Sequence, residues 1–215
     1  MSDGAALQAQ AGRNELVVLV DHDRGMPRKA TNQILTKARE LAAATEATLA
    51  AVAFGVHAPE CAERVGAFGA QKLYLWDEAP ATNYVTLPMV DALEHIFSSP
   101  GVGTLLFPSS NFLKDVAARL AVRLEAGIIV DASDLELVDG TLIVSKEVFG
   151  GVTITRSQVT GHRPALIGVN ANAFAAEESG GGLPEVVQLE IQLSPEAQRS
   201  RVVDRVVQIE GHRPD

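Results

Sequence analysis

The residue types suited to chemistry fall in a few short stretches. Asp21-His22-Asp23 sets two carboxylates beside an imidazole, the groups that metal binding or acid–base work would use. Neighbouring residues on a strand point to opposite faces, so the three could not converge there, and a polar loop after a strand end is expected. The five histidines are His22, His57, His95, His162 and His212. No two stand at helical zinc-ligand spacing, so no metal site is expected. The serine-hydrolase elbow, the phosphate-binding P-loop and the dinucleotide glycine fingerprint are all missing, and no catalytic residue is assigned. Cys61 is the single cysteine. It sits among Ala62, Val65 and Phe68 and reads as a buried structural thiol. That leaves Ser109-Ser110-Asn111, after the apolar run Leu105-Leu106-Phe107. Hydroxyls beside backbone N–H groups at a helix start can hold an anion, and the same residues also serve as helix caps. No cofactor-binding residue is assigned; Ser109, Ser110 and Asn111 are anion-site candidates. Lys114, Arg119 and Arg123 could add positive charge, but a solvated helix face paired in part with Asp115 or Glu125 is the favoured reading.

Those candidates need a frame. Glu15 to Val20 reads as a buried strand, broken at Asp21–Gly25 and Pro27. A helix should begin near Thr31, with Ile34, Leu35, Ala38, Leu41 and Ala42 on one stripe. Strands follow at Thr48–Phe54 and Lys72–Trp76, with a short helix from Pro59 to Phe68 between them. Thr86 is placed to cap the next helix, which has Pro88 in its first turn and Leu87, Val90, Leu93 and Phe97 inward. A fourth strand, Thr104–Phe107, leads through Ser109–Asn111 into a helix burying Phe112, Val116, Leu120 and Leu124, and then to Ile128–Val130. This alternation predicts an α/β fold with a doubly wound, mostly parallel sheet. Asp139-Gly140 predicts a tight hairpin between Leu135–Val138 and Thr141–Val144. Val148–Val159 and Ala165–Val169 read as further strands, with Gly150-Gly151 marking a bulge, a kink or a close backbone approach. Glu177–Gly182 reads as a loop. Val187, Leu189, Ile191 and Leu193 alternate with polar residues, as in a strand with one wet face. The domain is set at residues 15–193, after a disordered tail at 1–14 and before a linker-like stretch at 194–215. Val202–Ile209 within that stretch fits either an extended segment or a helix.

Composition narrows the functions. The 215 residues are 47% hydrophobic and 5% aromatic, with a formal net charge of −9 and a sequence pI near 5.0. There is no basic face to displace the counterions of a nucleic acid. No apolar run reaches the roughly 18 residues of a membrane span. One cysteine suits a reducing compartment.

The stretch from Thr104 onward resembles the large (alpha) subunit of electron transfer flavoproteins. It has the helix pattern D-x-A-x-R-L-A-x-R-L at Asp115–Leu124, a short strand closing on Asp131, and an aromatic-Gly-Gly step at Phe149-Gly150-Gly151. A later strand closes on Ala173-Phe174. The amino-terminal half fits with strand Val17–Val20, Thr31, Leu35 and Gly69-Ala70-x-Lys72. The resemblance covers roughly residues 15 to 215.

That resemblance implies a fold of the adenine-nucleotide-binding type with an added hairpin. It implies a heterodimer with a beta subunit and one FAD in the full-length protein. Such proteins are cytoplasmic in prokaryotes. They carry electrons from flavin dehydrogenases, such as the acyl-CoA dehydrogenases of fatty-acid oxidation, to a quinone oxidoreductase. The family's FAD domain follows an R-P-[DE] segment, matched here by Arg213-Pro214-Asp215. Its glycine-rich flavin signature has no counterpart in this chain, so no FAD is expected in these 215 residues and the role expected is a non-catalytic docking domain. Left without its partner, the docking surface would self-associate. The alternative is a free-standing nucleotide-binding regulator of the universal-stress type, whose phosphate-loop pattern is not visible. An ATP-pyrophosphatase would need a serine-glycine loop where Asp21–Gly25 stands.

Overall fold

The computed structural model describes residues 15–78, 85–160, 164–199 and 202–203. The expected tail at 1–14 and most of Val202–Ile209 lie outside them. Seven parallel strands form one sheet in the order β12-β5-β4-β1-β6-β11-β7. They are β1 Glu15–Leu19, β4 Thr48–Phe54, β5 Lys72–Trp76, β6 Val102–Pro108, β7 Gly127–Ala132, β11 Ala165–Val169 and β12 Glu185–Gln188. Helices α1 Lys29–Thr45, α2 Ala62–Ala67, α3 Thr86–Phe97 and α4 Asn111–Leu124 cover its faces. Two-residue strands β2 His22–Asp23 and β3 Met26–Pro27 make a miniature hairpin after β1. A second, antiparallel sheet has the order β10-β9-β8, from β8 Asp134–Val138, β9 Thr141–Val148 and β10 Thr153–Ser157.

The buried strands work as two-faced partitions. On β1, Val17 and Leu19 join one core with Val52, Trp76, Leu93, Phe107 and Leu120. Leu16, Val18 and Val20 join the other, with Ile34, Leu35, Ala51, Ala53 and Val65. Period-two alternation sends successive side chains to opposite faces, which is why these strands read as unbroken apolar runs. Small Ala51 and Ala53 let α1 sit close to the sheet. Leu135 and Val144 of the second sheet belong to the α1-side core.

Several local expectations change. Thr86 is not a cap: Val85 occupies that position, with no side-chain cap bond. The Thr86 hydroxyl instead donates to Asp115 Oδ2 at 2.9 Å, tying α3 to α4. Phe112 and Leu124 are only partly buried, and Leu113, Ala117 and Ala121 complete the inner face of α4. Val148–Val159 is not one strand. Phe149, Gly150 and Gly151 all have positive φ, turning the chain from β9 into β10. Nothing approaches within 4 Å of a Cβ placed on Gly150, so that glycine serves a turn and not a close contact. The alternation from Val187 to Leu193 is real in burial, but the ladder ends at Gln188, and β12 pairs in parallel with β5.

Between β11 and β12 the chain must cross the sheet from β11 to the far edge, five strand spacings or about 24 Å. Residues 170–184 do this alongside α1, running in the same direction as that helix. Gln33 Oε1 accepts from Asn172 N–H, and Gln33 Nε2 donates to the Phe174 carbonyl. Thr36 Oγ1 accepts from Glu177 N–H, and Arg39 donates to the Glu177 and Phe68 carbonyls. Ser179 donates from N–H and hydroxyl to the Ala67 carbonyl. At the end of α2 the two backbones touch. A Cβ on Gly66 would lie 2.2 Å from the Gly182 carbonyl oxygen, and one on Gly181 2.3 Å from that of Gly66. Gly66→Ala should therefore cost about 1–3 kcal/mol. A urea denaturation series checks this, and wild-type stability would show that the crossing segment can give way.

Candidate functional site

The helices leaving β1 and β6 go to opposite faces, α1 to one core and α4 to the other. Strand order reverses there, and the crevice at the carboxyl ends of β1 and β6 is where an open α/β sheet receives a ligand. The two polar stretches singled out in the sequence face this point, one after each strand.

Each is engaged in holding the fold. Asp21 N–H donates to Thr31 Oγ1 at 3.1 Å, and the Asp21 carbonyl accepts from the Thr31 hydroxyl and from Arg28 N–H. His22 Nδ1 faces Gly25 N–H at 3.3 Å, while Nε2 lies 2.9 Å from the Phe54 carbonyl. One neighbour is a donor and the other an acceptor, so the proton sits on Nε2. The imidazole thus bridges the end of β4 to the small hairpin. Asp23 is in β2, and no cluster able to hold a metal occurs among the described residues. His57 pairs with Glu60; His162 and His212 lie outside the described residues.

Ser109 N–H donates to the Val169 carbonyl at 2.9 Å, and its Oγ accepts from Asp131 N–H at 3.0 Å. A Cβ on Gly168 would come within 2.6 Å of that oxygen, so glycine at this point in β11 gives Ser109 its room. Ser110 is the cap of α4, its Oγ accepting from Leu113 N–H at 3.2 Å. Asn111 opens the helix and is exposed. Of the three basic residues on α4, Lys114 reaches this site through Asp131, while Arg119 and Arg123 do not. Arg119 pairs with Asp115 at 3.0 Å along its own helix. Arg123 reaches across to Asp91 at 2.6 Å and Glu94 at 2.7 Å on α3.

The group that residue types alone did not single out is Asp131. It is the next-to-last residue of β7, with φ 63°, in the left-handed region, where the ladder to β11 shifts register. Lys114 of α4 stands 2.5 Å from one carboxylate oxygen and Lys146 of β9 3.6 Å from the other. Asn170 Nδ2 donates to the Asp131 carbonyl at 3.2 Å. Burial pushes the carboxyl up. The Lys114 hydrogen bond and charge, with Lys146 and the Ser109 hydroxyl, outweigh that and hold it below the usual Asp range. The sequence signal was an aspartate closing a short strand, which residue type cannot distinguish from a loop acid.

Residues 16–194 match the profile described as the electron transfer flavoprotein domain. The chain belongs to that family. It is 30% identical over 201 residues to an electron transfer flavoprotein subunit alpha of Mycobacterium leprae, covering 94% of this chain and 60% of that protein. The same subunit of Mycobacterium tuberculosis is 32% identical over 184 residues, or 85% and 55% of the two chains. The LctC subunit of an Acetobacterium woodii lactate dehydrogenase (NAD(+),ferredoxin) is 27% identical over 164 residues, covering 76% and 39%. The chain thus spans three fifths or less of these relatives. Its family is one of flavoproteins, which makes the switch point the place to test for a dinucleotide. A pyrophosphate there needs free backbone donors. Ser109 N–H is already bonded within the fold, while the Ser109 and Ser110 hydroxyl oxygens accept from the Asp131 and Leu113 N–H groups.

Two measurements check this electrostatic picture. A depressed carboxylate stabilises above its unfolded pKa, near 4, and loses that contribution as pH falls through the folded value. Asp131→Asn keeps a side chain that tolerates positive φ, so it isolates the charge. The wild type should exceed it by on the order of 1 kcal/mol or less at neutral pH. The gap should close below about pH 4; a gap independent of pH would contradict the assignment. Burial pushes the Cys61 thiol up to about 12. It should resist thiol reagents at neutral pH until the chain is unfolded, and immediate labelling of the native protein would contradict its burial.

Proposed function

We propose that this chain is the scaffold domain of an electron transfer flavoprotein alpha subunit, docking a beta subunit, with the flavin held outside these 215 residues. The observation that carries this is the match across residues 16–194 to a flavoprotein family whose alpha subunits are longer. The reading makes the chain a carrier subunit and not an enzyme. In the complete assembly, electrons would pass from flavin dehydrogenases, such as those acting on acyl-CoA, to a quinone oxidoreductase, in a prokaryotic cytoplasm. No helix among the described residues is long and apolar enough to cross a membrane.

Geometry at the last described segment supports a tether there. Asp91 of α3 is 8% exposed and accepts from Ser194 N–H at 2.8 Å and from the Ser194 hydroxyl at 3.2 Å. Arg123 neutralises the same carboxylate. The turn Ala197–Arg199 follows directly, with Ala197 buried. Residues 194–215, read as the lead into a hinge, would start from this fixed point.

The chain purified alone from cells replete with flavin should be colourless, and calorimetric titration with ATP or AMP should give no saturable heat. Stoichiometric flavin absorbance would overturn the scaffold reading. Tight nucleotide binding would favour the regulator alternative.

A further inference from the structure

Asp91, in the middle of α3, is the only charged side chain that is buried among the described residues. A buried charge is costly unless its lone pairs are engaged. Here the partners come from two other parts of the chain. Oδ1 accepts from Arg123 of α4 and from the Ser194 hydroxyl, and Oδ2 accepts from Ser194 N–H. Arg123 also pairs with Glu94, one turn along α3. This gives a role to the helix pattern at Asp115–Leu124. Both of its ends tie α4 to α3, Asp115 through Thr86 and Arg123 through Asp91. The tie at Arg123 goes on to a third segment.

That segment is the chain after β12. Leu189 is buried in the α3-side core, and Ile191 and Leu193 pack partly against it. At Ser194 the apolar alternation stops. The Ser194 hydroxyl, which donates to Asp91, also accepts from Ala197 N–H at 3.3 Å. The Ser194 carbonyl accepts from Gln198 N–H, and Gln198 Nε2 donates back to the Leu193 carbonyl at 2.9 Å. The turn Ala197–Arg199 packs on α3, but Ala197 is its one buried residue. A single alanine buries too little apolar area to hold a turn, and apolar contact has no direction to stop it sliding. The carboxylate supplies both the hold and the direction. Past the turn, Val202 is 41% exposed and Val203 86%.

We propose that Asp91 and Arg123 form a charge clasp that fixes where the tether begins. Both are positioning residues that act through Ser194. Asp91 grips the segment, and Arg123 balances its charge and holds α4 to the same point. Residues 189–199 are then part of the α/β domain, and the tether starts beyond Arg199, not at Ser194. Three donors fix the two carboxylate oxygens, and the Ser194 hydroxyl passes that constraint into the turn. A flavin domain carried on the tether would pivot from a point beside α3 and α4, not from the sheet edge at Gln188. The inference rests on the tether reading above, while the clasp itself is measured in this chain with nothing attached.

Spin labels read it directly, Cys61 being buried. A reference label at Val122→Cys, exposed on α4, is paired with one at Glu196→Cys or at Val203→Cys, also exposed. The distance distribution should be narrow to Glu196 and broader to Val203. Ser194→Ala removes the hydroxyl and leaves the Asp91–Arg123 pair in place, so the fold is kept. It should broaden the Glu196 distribution. It should also speed amide exchange at Gln198 and Arg199, whose own acceptors are untouched, by about tenfold or more. Ser194→Thr restores the hydroxyl and should restore both readings. Asp91→Asn sets an amide where Arg123 and Ser194 both donate, and should release the turn further while exchange in β1 and β6 stays unchanged. A Ser194→Ala chain with the wild-type distribution, a Ser194→Thr chain as loose as Ser194→Ala, or a Val203 label as narrow as the Glu196 label would each overturn the clasp. Flavin bound by the 215 residues, or failure to associate with a beta subunit, would count against the scaffold reading and leave these distances as they are.

Discussion

The fold depends on the fastening of residues 170–184 to α1 and α2. Each other parallel strand joined to its neighbour by a helix has its return path covered by that helix. β12 has only this extended segment to bring the chain back from the carboxyl end of β11 to the amino end of the far edge. The segment has few apolar side chains to bury, so its hold is polar: Gln33, Thr36 and Arg39 bond its backbone at Asn172, Phe174 and Glu177. Those bonds also explain why Gln33 and Thr36 can be buried in a helix at all, since a buried polar group without partners would be costly. The glycine contact at Gly66 and Gly181 brings the two backbones together where no side chain would fit. The segment leaves β11 at the carboxyl edge, beside the switch point.

Asp131 plays the corresponding part for the second sheet. Its carboxylate gathers Lys114 from the α/β core and Lys146 from β9, while its backbone N–H is held by Ser109 and its carbonyl by Asn170. The partners are half-exposed, so the Coulomb gain is modest. The value of the arrangement is geometric. It fixes the positive-φ turn from which the antiparallel sheet departs, and so the direction in which β10 and its apolar tip face solvent.

Much of this was legible in the chain. The ends of β4 and β5 fall where the unbroken apolar runs begin and stop, because strands buried on both faces leave no polar interruption. Asp139-Gly140 announced its turn, since few other pairs accept two positive φ angles. Ser110 was among the caps expected. Thr86 misled because a threonine before an apolar stripe looks like a cap whether it bonds its own helix or a neighbouring one. Val148–Val159 misled because β-branched residues continue across a turn whose first positive-φ residue is Phe149, not a glycine. The crossing segment was invisible as structure. Its bonds are made by its backbone to Gln33, Thr36 and Arg39, and nothing local in residues 170–184 marks them. The candidate site shows the same limit. Ser109 and Ser110 were placed at a strand's carboxyl end, but only the positions of Val169, Asp131 and Leu113 reveal the bonds they make within the fold.

We propose that the chain's work lies at a surface that docks another subunit. The direct test is to titrate the purified chain with a separately purified beta subunit, in the absence of flavin, and measure the molar mass of the mixture. A one-to-one complex formed without flavin is the predicted result. Two chains that migrate independently at every concentration would contradict the claim that this domain exists to dock another subunit.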